Sequence, residues 1–329
     1  MSDRRYFLLV GLAAVLAFCV VLLGAYTRLS DAGLGCPDWP GCYGHLTVPE
    51  ATHEIAAANQ AFPQRELEAP KAWKEMIHRY FAGTLGLLVL VIAVVSWRRH
   101  RADPSRPLWL PLFLLLLVVF QAALGMWTVT LLLKPAIVAA HLLGGFATFA
   151  LLTLLALRSW PGGLPTWRGG PRALAALALL VVVAQISLGG WTSTNYAALA
   201  CTDFPTCQGR WWPEMDFGEA FRIWRGAGVN YEYGVLDTPA RTAVHVTHRI
   251  GALITLLVVG ALALRLLRQR VTRVAGALLG LLLLTQLSLG IANVLLHLPL
   301  PVAVAHNAVA ALLLVTLILV NYRLWPGHS

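Results

Sequence analysis

Charge is scarce in this sequence, and its scarcity excludes a broad class of protein. Only 12% of the 329 residues are charged, whereas 58% are hydrophobic. A soluble globular domain carries charge on about a quarter of its residues, so the composition excludes a soluble domain and indicates a polytopic membrane protein. No low-complexity segment is present. The first apolar run lacks a small-residue cleavage site behind it, and we interpret it as a membrane helix rather than a signal peptide.

Acidic residues are nearly absent from one set of chain ends and loops. These segments are 1–6, 98–107, 158–172, 265–273 and 323–329. They contain fourteen arginines, no lysine, and only Asp3 and Asp103 as acids. By the positive-inside rule they are cytoplasmic, so both termini are expected on the cytoplasmic side. The net charge of +10 then reflects membrane topology, and we expect no nucleic acid among the partners.

Eight apolar stretches are long enough to cross a hydrocarbon core, which takes about 20 helical residues. They lie near 7–27, 77–97, 108–131, 137–157, 173–193, 243–264, 274–296 and 303–322. The predicted fold class is therefore an all-α membrane protein with eight transmembrane helices. Two amphipathic runs in the long outer loops, near 50–74 and 213–225, are predicted to lie as helices on the membrane surface.

The two halves of the chain repeat each other. Cys36 and Cys42 recur 165 positions later as Cys201 and Cys207. The same offset relates Pro40 to Pro205, Asp38 to Asp203, Gly44 to Gly209, Gln121 to Gln286 and His141 to His306. At the second helix the offset becomes 170, and it relates Glu75 to His245, His78 to His248 and Arg79 to Arg249. Five additional residues in the second outer loop account for the change, so the pattern indicates a duplicated four-helix unit.

This duplication predicts the domain organisation. Residues 1–158 form an N-terminal four-helix half, 159–172 a cytoplasmic linker, and 173–329 a C-terminal four-helix half. Each unit has an even number of helices, so both halves enter the membrane from the same side. We expect two tandem four-helix bundles related by a pseudo-twofold axis along the membrane normal.

Four histidines lie near the outer ends of the even-numbered predicted helices, at repeat-equivalent positions: His78, His141, His248 and His306. Helices 2 and 4 of one unit can face each other, so each half offers two imidazoles for the axial positions of a haem iron. Small residues one turn further, including Gly144, Gly145 and Ala310, leave room for a flat macrocycle. Hydrogen-bonded core histidines and a zinc site are the alternatives.

Glu75 and His78 are spaced i and i+3, so a carboxylate and an imidazole share one helix face. Because His245 replaces the carboxylate in the second half, we predict chemistry or proton transfer at Glu75 and only a redox cofactor in the other site. A solvated loop carboxylate is the alternative. Arg79 and Arg249 are predicted to bind haem propionates, with snorkelling interfacial arginines as the alternative.

The cysteine pairs lie in the outer, oxidising compartment. Cys36 with Cys42 and Cys201 with Cys207 are therefore predicted to form disulfides that close Pro-containing turns. A structural role is expected for both pairs, and redox exchange with a partner is an alternative for the first pair. The remaining Cys19 is expected to be a small core residue.

Taken together, these motifs resemble those of the haem A synthases of the cytochrome oxidase assembly pathway, in particular the cysteine-containing bacterial type. The resemblance covers essentially the whole chain. It implies that the chain oxidises the C8 methyl group of haem O to a formyl group through two hydroxylations and loss of water. It further implies that His248 and His306 hold haem b, and that haem O lies near Glu75, His78 and His141.

The same resemblance implies a bacterial inner-membrane location, with a haem O synthase and a membrane electron acceptor as partners and homo-oligomerisation left open. Two other functions fit the paired histidines. A di-haem electron carrier of the cytochrome b kind uses the same ligands but gives no reason for a carboxylate in one half only. A haem transport or assembly protein would bind haem and leave its substituents unchanged.

Overall fold

The chain is built of helices. The computed structural model describes residues 1–226 and 228–325, and within these ranges it contains no strand. The helices are α1 (Asp3–Leu29), α2 (Thr52–Ala61), α3 (Ala69–Ala102), α4 (Trp109–Thr130), α5 (Pro135–Arg158), α6 (Arg172–Thr194), α7 (Phe217–Ala220), α8 (Thr238–Leu267), α9 (Arg273–Leu295) and α10 (Leu300–Leu324). Among the described residues, eight of them are long and apolar enough to cross a membrane, namely all but α2 and α7.

The eight predicted spans are confirmed, and most helix ends fall within a few residues of the prediction. The second span is the main exception, because α3 begins at Ala69, eight residues before the apolar run. Pro70 stands in its first turn, where a missing amide proton is tolerated. The additional turns are stabilised by burial of Ala72 and Met76 against the first disulfide loop.

The predicted surface helices form only in part. In the first run, α2 covers Thr52–Ala61, and the end of the run belongs to the membrane helix α3. In the second run only Phe217–Ala220 is helical. The expectation that these two runs lie as helices on the membrane surface is therefore met only over Thr52–Ala61 and Phe217–Ala220. A pattern of apolar and polar residues did not reveal that Ala69–Lys74 continues a transmembrane helix.

The two halves pack through four helices: α1 and α5 of the first half contact α6 and α10 of the second. One continuous buried apolar cluster runs through all eight membrane helices. Near the outer end of this interface, Arg28 donates a hydrogen bond to the carbonyl of Ser193. These two residues are repeat equivalents, and a contact between equivalents is what a twofold axis between the halves predicts.

The outer loops carry both predicted disulfides, which are confirmed as Cys36–Cys42 and Cys201–Cys207. Each disulfide closes a tight turn in which an aspartate accepts backbone hydrogen bonds. Asp38 accepts from the amides of Tyr43 and Gly44, both at 2.7 Å. Asp203 accepts from the equivalent amides, so the two loops share one internal design.

Candidate functional site

The first half encloses a cavity of about 740 Å³ among α1, α3, α4 and α5. This volume is typical of a site for a large organic ligand. The lining is mainly apolar, and it includes the three predicted N-terminal haem-site side chains together with the predicted catalytic residue. These residues are Glu75, His78, Arg79 and His141.

The imidazoles of His78 and His141 face each other across the cavity. Their ring centroids are 6.4 Å apart, and the ring planes are nearly perpendicular at 88°. A metal lies about 2 Å from a coordinating imidazole nitrogen, and each nitrogen lies a little over 1 Å from its ring centroid, so this separation accommodates one metal atom between the two rings. The sequence prediction that α3 and α5 bring these histidines together is confirmed.

A glycine on a neighbouring helix makes room for each of the four histidine rings. A Cβ atom added to Gly24 would lie 3.0 Å from Cε1 of His78, and one added to Gly125 would lie 3.4 Å from Cε1 of His141. In the second half, Gly189 and Gly290 stand in the same relation to His248 and His306, each at 3.2 Å. The four glycines therefore allow the neighbouring helix backbone to approach each imidazole closely, and an added side chain at Gly24, Gly189 or Gly290 would require the ring to shift.

The pair His78 and His141 suits haem iron. The two imidazoles face each other across the cavity, and their separation fits one metal atom. The residues present would therefore suit the iron of a haem in the first half.

Two glutamine side chains surround the histidines of the second half. The amide nitrogen of Gln286 lies 3.1 Å from Nε2 of His306. Gln185 lies 3.1 Å from Nδ1 of His248 and also donates to the His248 carbonyl. Gln185 was missed by the sequence analysis. Its repeat equivalent is Val20, so a comparison of the two halves for one-sided polar residues would have found it.

Small residues after His141 have different surroundings. Gly145 lines the cavity, as predicted. Gly144 instead faces Gln121, whose amide nitrogen would lie 1.7 Å from an added Cβ. Both amide atoms of Gln121 are buried and make no hydrogen bond among the described residues. The prediction that Gly144 leaves room for a macrocycle was therefore wrong, because Gly144 accommodates the amide of Gln121.

Glu75 is only 5% exposed, and both of its carboxylate oxygens are engaged. Oε2 accepts the backbone amide of Cys36 at 3.0 Å, and Oε1 accepts from Arg79 at 2.6 Å. The alternative of a solvated loop carboxylate is therefore wrong. Glu75 joins the cavity wall to the disulfide loop, and its negative charge is balanced by the guanidinium one helical turn away.

The two repeat-equivalent arginines hold the disulfide loops. Arg79 donates to the carbonyls of Asp38, Pro40 and Gly41 in addition to Glu75. Arg249 donates to the carbonyls of Asp203 and Thr206, both at 2.8 Å. The predicted binding of haem propionates by these arginines stays a prediction, and their present partners are protein groups in both halves.

His245 occupies the place of Glu75 in the second half. Its Nδ1 lies 3.4 Å from the backbone amide of Cys201, which is the equivalent of the Cys36 amide. The two halves therefore use an imidazole and a carboxylate for the same contact with the loop. Only the first half adds a buried negative charge beside its cavity.

The remaining histidines and Cys19 lie away from these sites. His45 and His53 belong to the first outer loop, and Nδ1 of His100 contacts the Arg106 carbonyl at 2.7 Å. His297 follows α9 with a positive φ of 57°. His328 lies outside the described residues. Cys19 is a free, partly buried cysteine of α1.

Fold and site together define a polytopic α-helical membrane protein with paired histidines in each half and a large ligand cavity in the first. Residues 7–318 match the family of cytochrome oxidase assembly proteins designated COX15-CtaA. The chain belongs to this family, and the resemblance inferred from its motifs is confirmed.

Similar proteins extend over nearly the whole chain. Heme A synthase of Shewanella oneidensis is 52% identical over 324 residues, which cover 98% of this chain and 97% of that protein. Heme A synthase of Rhizorhabdus wittichii is 29% identical over 344 residues, covering 97% and 92%. Heme A synthase of Caulobacter vibrioides is 29% identical over 337 residues, covering 95% and 94%.

Proposed function

We propose that this chain is a haem A synthase, an oxidoreductase that acts on a CH or CH2 group and converts the C8 methyl group of haem O to a formyl group. The observation that carries this proposal is the facing pair of His78 and His141, 6.4 Å apart, in a cavity lined by the one-sided carboxylate Glu75. The full-length similarity to proteins named Heme A synthase supports it.

In this proposal the two halves have different tasks. His78 and His141 hold the iron of the substrate haem O, while His248 and His306 hold haem b as a resident cofactor. Bound haem b supplies one-electron redox chemistry. The cavity lining is mainly apolar, and the glycines beside the four rings leave space for the imidazoles.

Glu75 is the proposed catalytic residue. Replacement of C–H bonds by C–O bonds releases protons, and a carboxylate at the cavity wall can accept them or position an attacking water. Its two hydrogen-bond donors, the Cys36 amide and Arg79, hold it between the cavity and the outer loop.

The proposed setting is the bacterial inner membrane, with multiple spans and both termini in the cytoplasm. The arginine-rich, acid-poor loops support this orientation. A haem O synthase that delivers the substrate and a membrane electron acceptor are the proposed partners, and self-association is compatible with the chain. For the disulfides we propose a structural role, because Glu75 and Arg79 hold the first loop by backbone contacts.

Haem analysis tests the proposal. The chain is co-expressed with a haem O synthase, and extracted haems are separated and identified by mass. Formyl-bearing haem that requires this chain supports the proposal. Unchanged haem O together with bound haem b would refute it in favour of an electron carrier or a haem-binding assembly protein. His141→Ala serves as the matched control, since it removes one imidazole of the facing pair.

A further inference from the structure

Arg28 lies in the last turn of α1, at the outer end of the first-half cavity. It follows Gly24 by four residues, and Gly24 packs on the His78 ring. Residues i and i+4 share a helix face, so Arg28 lies one helical turn outward from the position at which His78 would meet a haem. Arg28 lines the cavity, and its side chain is 16% exposed.

The guanidinium of Arg28 makes fewer hydrogen bonds than that of Arg79, the other arginine that lines the cavity. The guanidinium of Arg79 is engaged by Glu75 and by three loop carbonyls. Arg28 makes one hydrogen bond within the described residues, from its NH2 group to the Ser193 carbonyl. Its contact with the half-exposed carboxylate of Asp31 is long, at 3.8 Å, and such a surface pair contributes little.

Second-half residues hold Arg28 in place. The Tyr196 ring lies beneath the guanidinium, with its centroid 4.1 Å from Cζ. Together with the bond to Ser193, this contact holds the side chain, and Nη1 has only the long contact with Asp31. A preorganised arginine of this kind suits a carboxylate, which it binds through two parallel hydrogen bonds.

This charge exists in one half only. The repeat equivalent of Arg28 is Ser193, which also lines the first-half cavity. Thr194 and Asn307 extend the polar lining at the same place, and both come from the second half. The rim of the first cavity is therefore completed by both halves and carries a cation that the second site lacks.

We propose that Arg28 binds a propionate carboxylate of haem O and thereby orients the macrocycle in the first-half cavity. This inference rests on the proposed function, in which that cavity takes haem O. It transfers the predicted propionate role in this half from Arg79 to Arg28, because Nη1 and Nη2 of Arg79 already donate to the loop carbonyls and to Glu75. The carboxylate displaces no partner of Arg28 other than the weakly held Asp31.

A binding titration tests the inference without requiring turnover. Purified protein is titrated with haem O and with its dimethyl ester, in which both propionates are blocked, and binding is followed by the Soret absorbance. A hydrogen bond to a charged group contributes about 1.5–3 kcal/mol, which is about 10- to 100-fold in affinity. Wild type should prefer the free acid by such a factor, and Arg28→Gln should abolish the preference.

Three controls make the result decisive. Arg28→Lys keeps the positive charge but lacks the planar guanidinium that makes two parallel hydrogen bonds. This variant should therefore retain part of the preference for the free acid over the ester. Arg210→Gln, which removes an exposed arginine of the second outer loop, should bind like wild type. If Arg28→Gln retains the full preference for the acid, or loses acid and ester binding equally, the inference is wrong. A failure of the proposed function would appear separately, as wild type that binds haem O without forming haem A.

Discussion

Replacing Glu75 by histidine separates its structural role from its chemical role. At the equivalent position of the second half, His245 already contacts the first cysteine amide of its loop through Nδ1. Glu75→His therefore keeps an acceptor for the Cys36 amide and removes the carboxylate beside the cavity. We expect this variant to fold, to retain the Cys36–Cys42 disulfide and to form no haem A.

Glu75→Ala gives the scale of the structural contribution. It leaves the Cys36 amide without its acceptor, which costs about 1–3 kcal/mol for a buried donor. It also leaves Arg79 without its ion pair, although three loop carbonyls still accept from that side chain. Because of these remaining partners, the total loss should be about 2–4 kcal/mol, near the lower end for disruption of a buried pair. Glu75→His should lose clearly less.

Two assays are needed, one for each role. Thermal unfolding of the purified variants reports the stability, and haem extraction after co-expression with a haem O synthase reports the conversion. Glu68→Ala is the matched control, because Glu68 is an exposed acid at the start of the same helix. Wild-type amounts of haem A from Glu75→His would refute the proton-transfer role. Wild-type stability of Glu75→Ala would refute the structural role.

Three further perturbations test other parts of the structure. Gly35→Ala should destabilise the protein by about 1–3 kcal/mol, since the new Cβ would lie 2.6 Å from backbone atoms of Lys71, and an unchanged thermal midpoint would contradict this. The amide nitrogen of Gln185 donates to Nδ1 of His248, so Gln185→Leu removes a donor and Gln185→Glu replaces it with an acceptor. In protein that carries haem b, both variants should make the imidazole more basic and lower the midpoint potential, Gln185→Glu by more. Spectropotentiometry measures both, and a raised potential in either variant would contradict the reasoning. The hydroxyl of Thr206 and backbone amides of the loop lower the pKa of Asp203 from 3.8 to about 2. The ionised carboxylate therefore stabilises the fold above about pH 4, and this contribution disappears as the pH falls towards 2. Asp203→Asn should accordingly lower the thermal midpoint at neutral pH and have less effect at pH 2, whereas an equal effect at both pH values would contradict the prediction.

The sequence predicted the membrane helices because an apolar run of sufficient length has few alternatives. It predicted the histidine pairs because the internal repeat relates His78 to His248 and His141 to His306. The ring centroids of His78 and His141 lie 6.4 Å apart, as expected for a pair. The roles of these histidines as ligands stay predictions that the cavity supports.

The partners of Arg79 could not be predicted from the sequence. Its acceptors are mostly backbone carbonyls of residues 38–41, and a carbonyl has no side-chain signature. Their position depends on the path of the loop, which is fixed by contacts distant in the chain. Arg28 was visible as a difference between the halves, but its meaning required the cavity beside it. The sequence indicated which side chains belong to the site, but it did not indicate which backbone carbonyls accept hydrogen bonds from them.

The contact between Arg28 and Ser193 bears on how the chain could have arisen. If two copies of a single four-helix unit once formed an isologous dimer, this position would have met its own copy at the symmetry axis. Two arginines cannot face each other there without repulsion, so a symmetric pair could not have held this cation. Joining the units in one polypeptide allows the two positions to differ. Fusion thus permits a single charged group at the interface between the two halves, where a symmetric homodimer would place two.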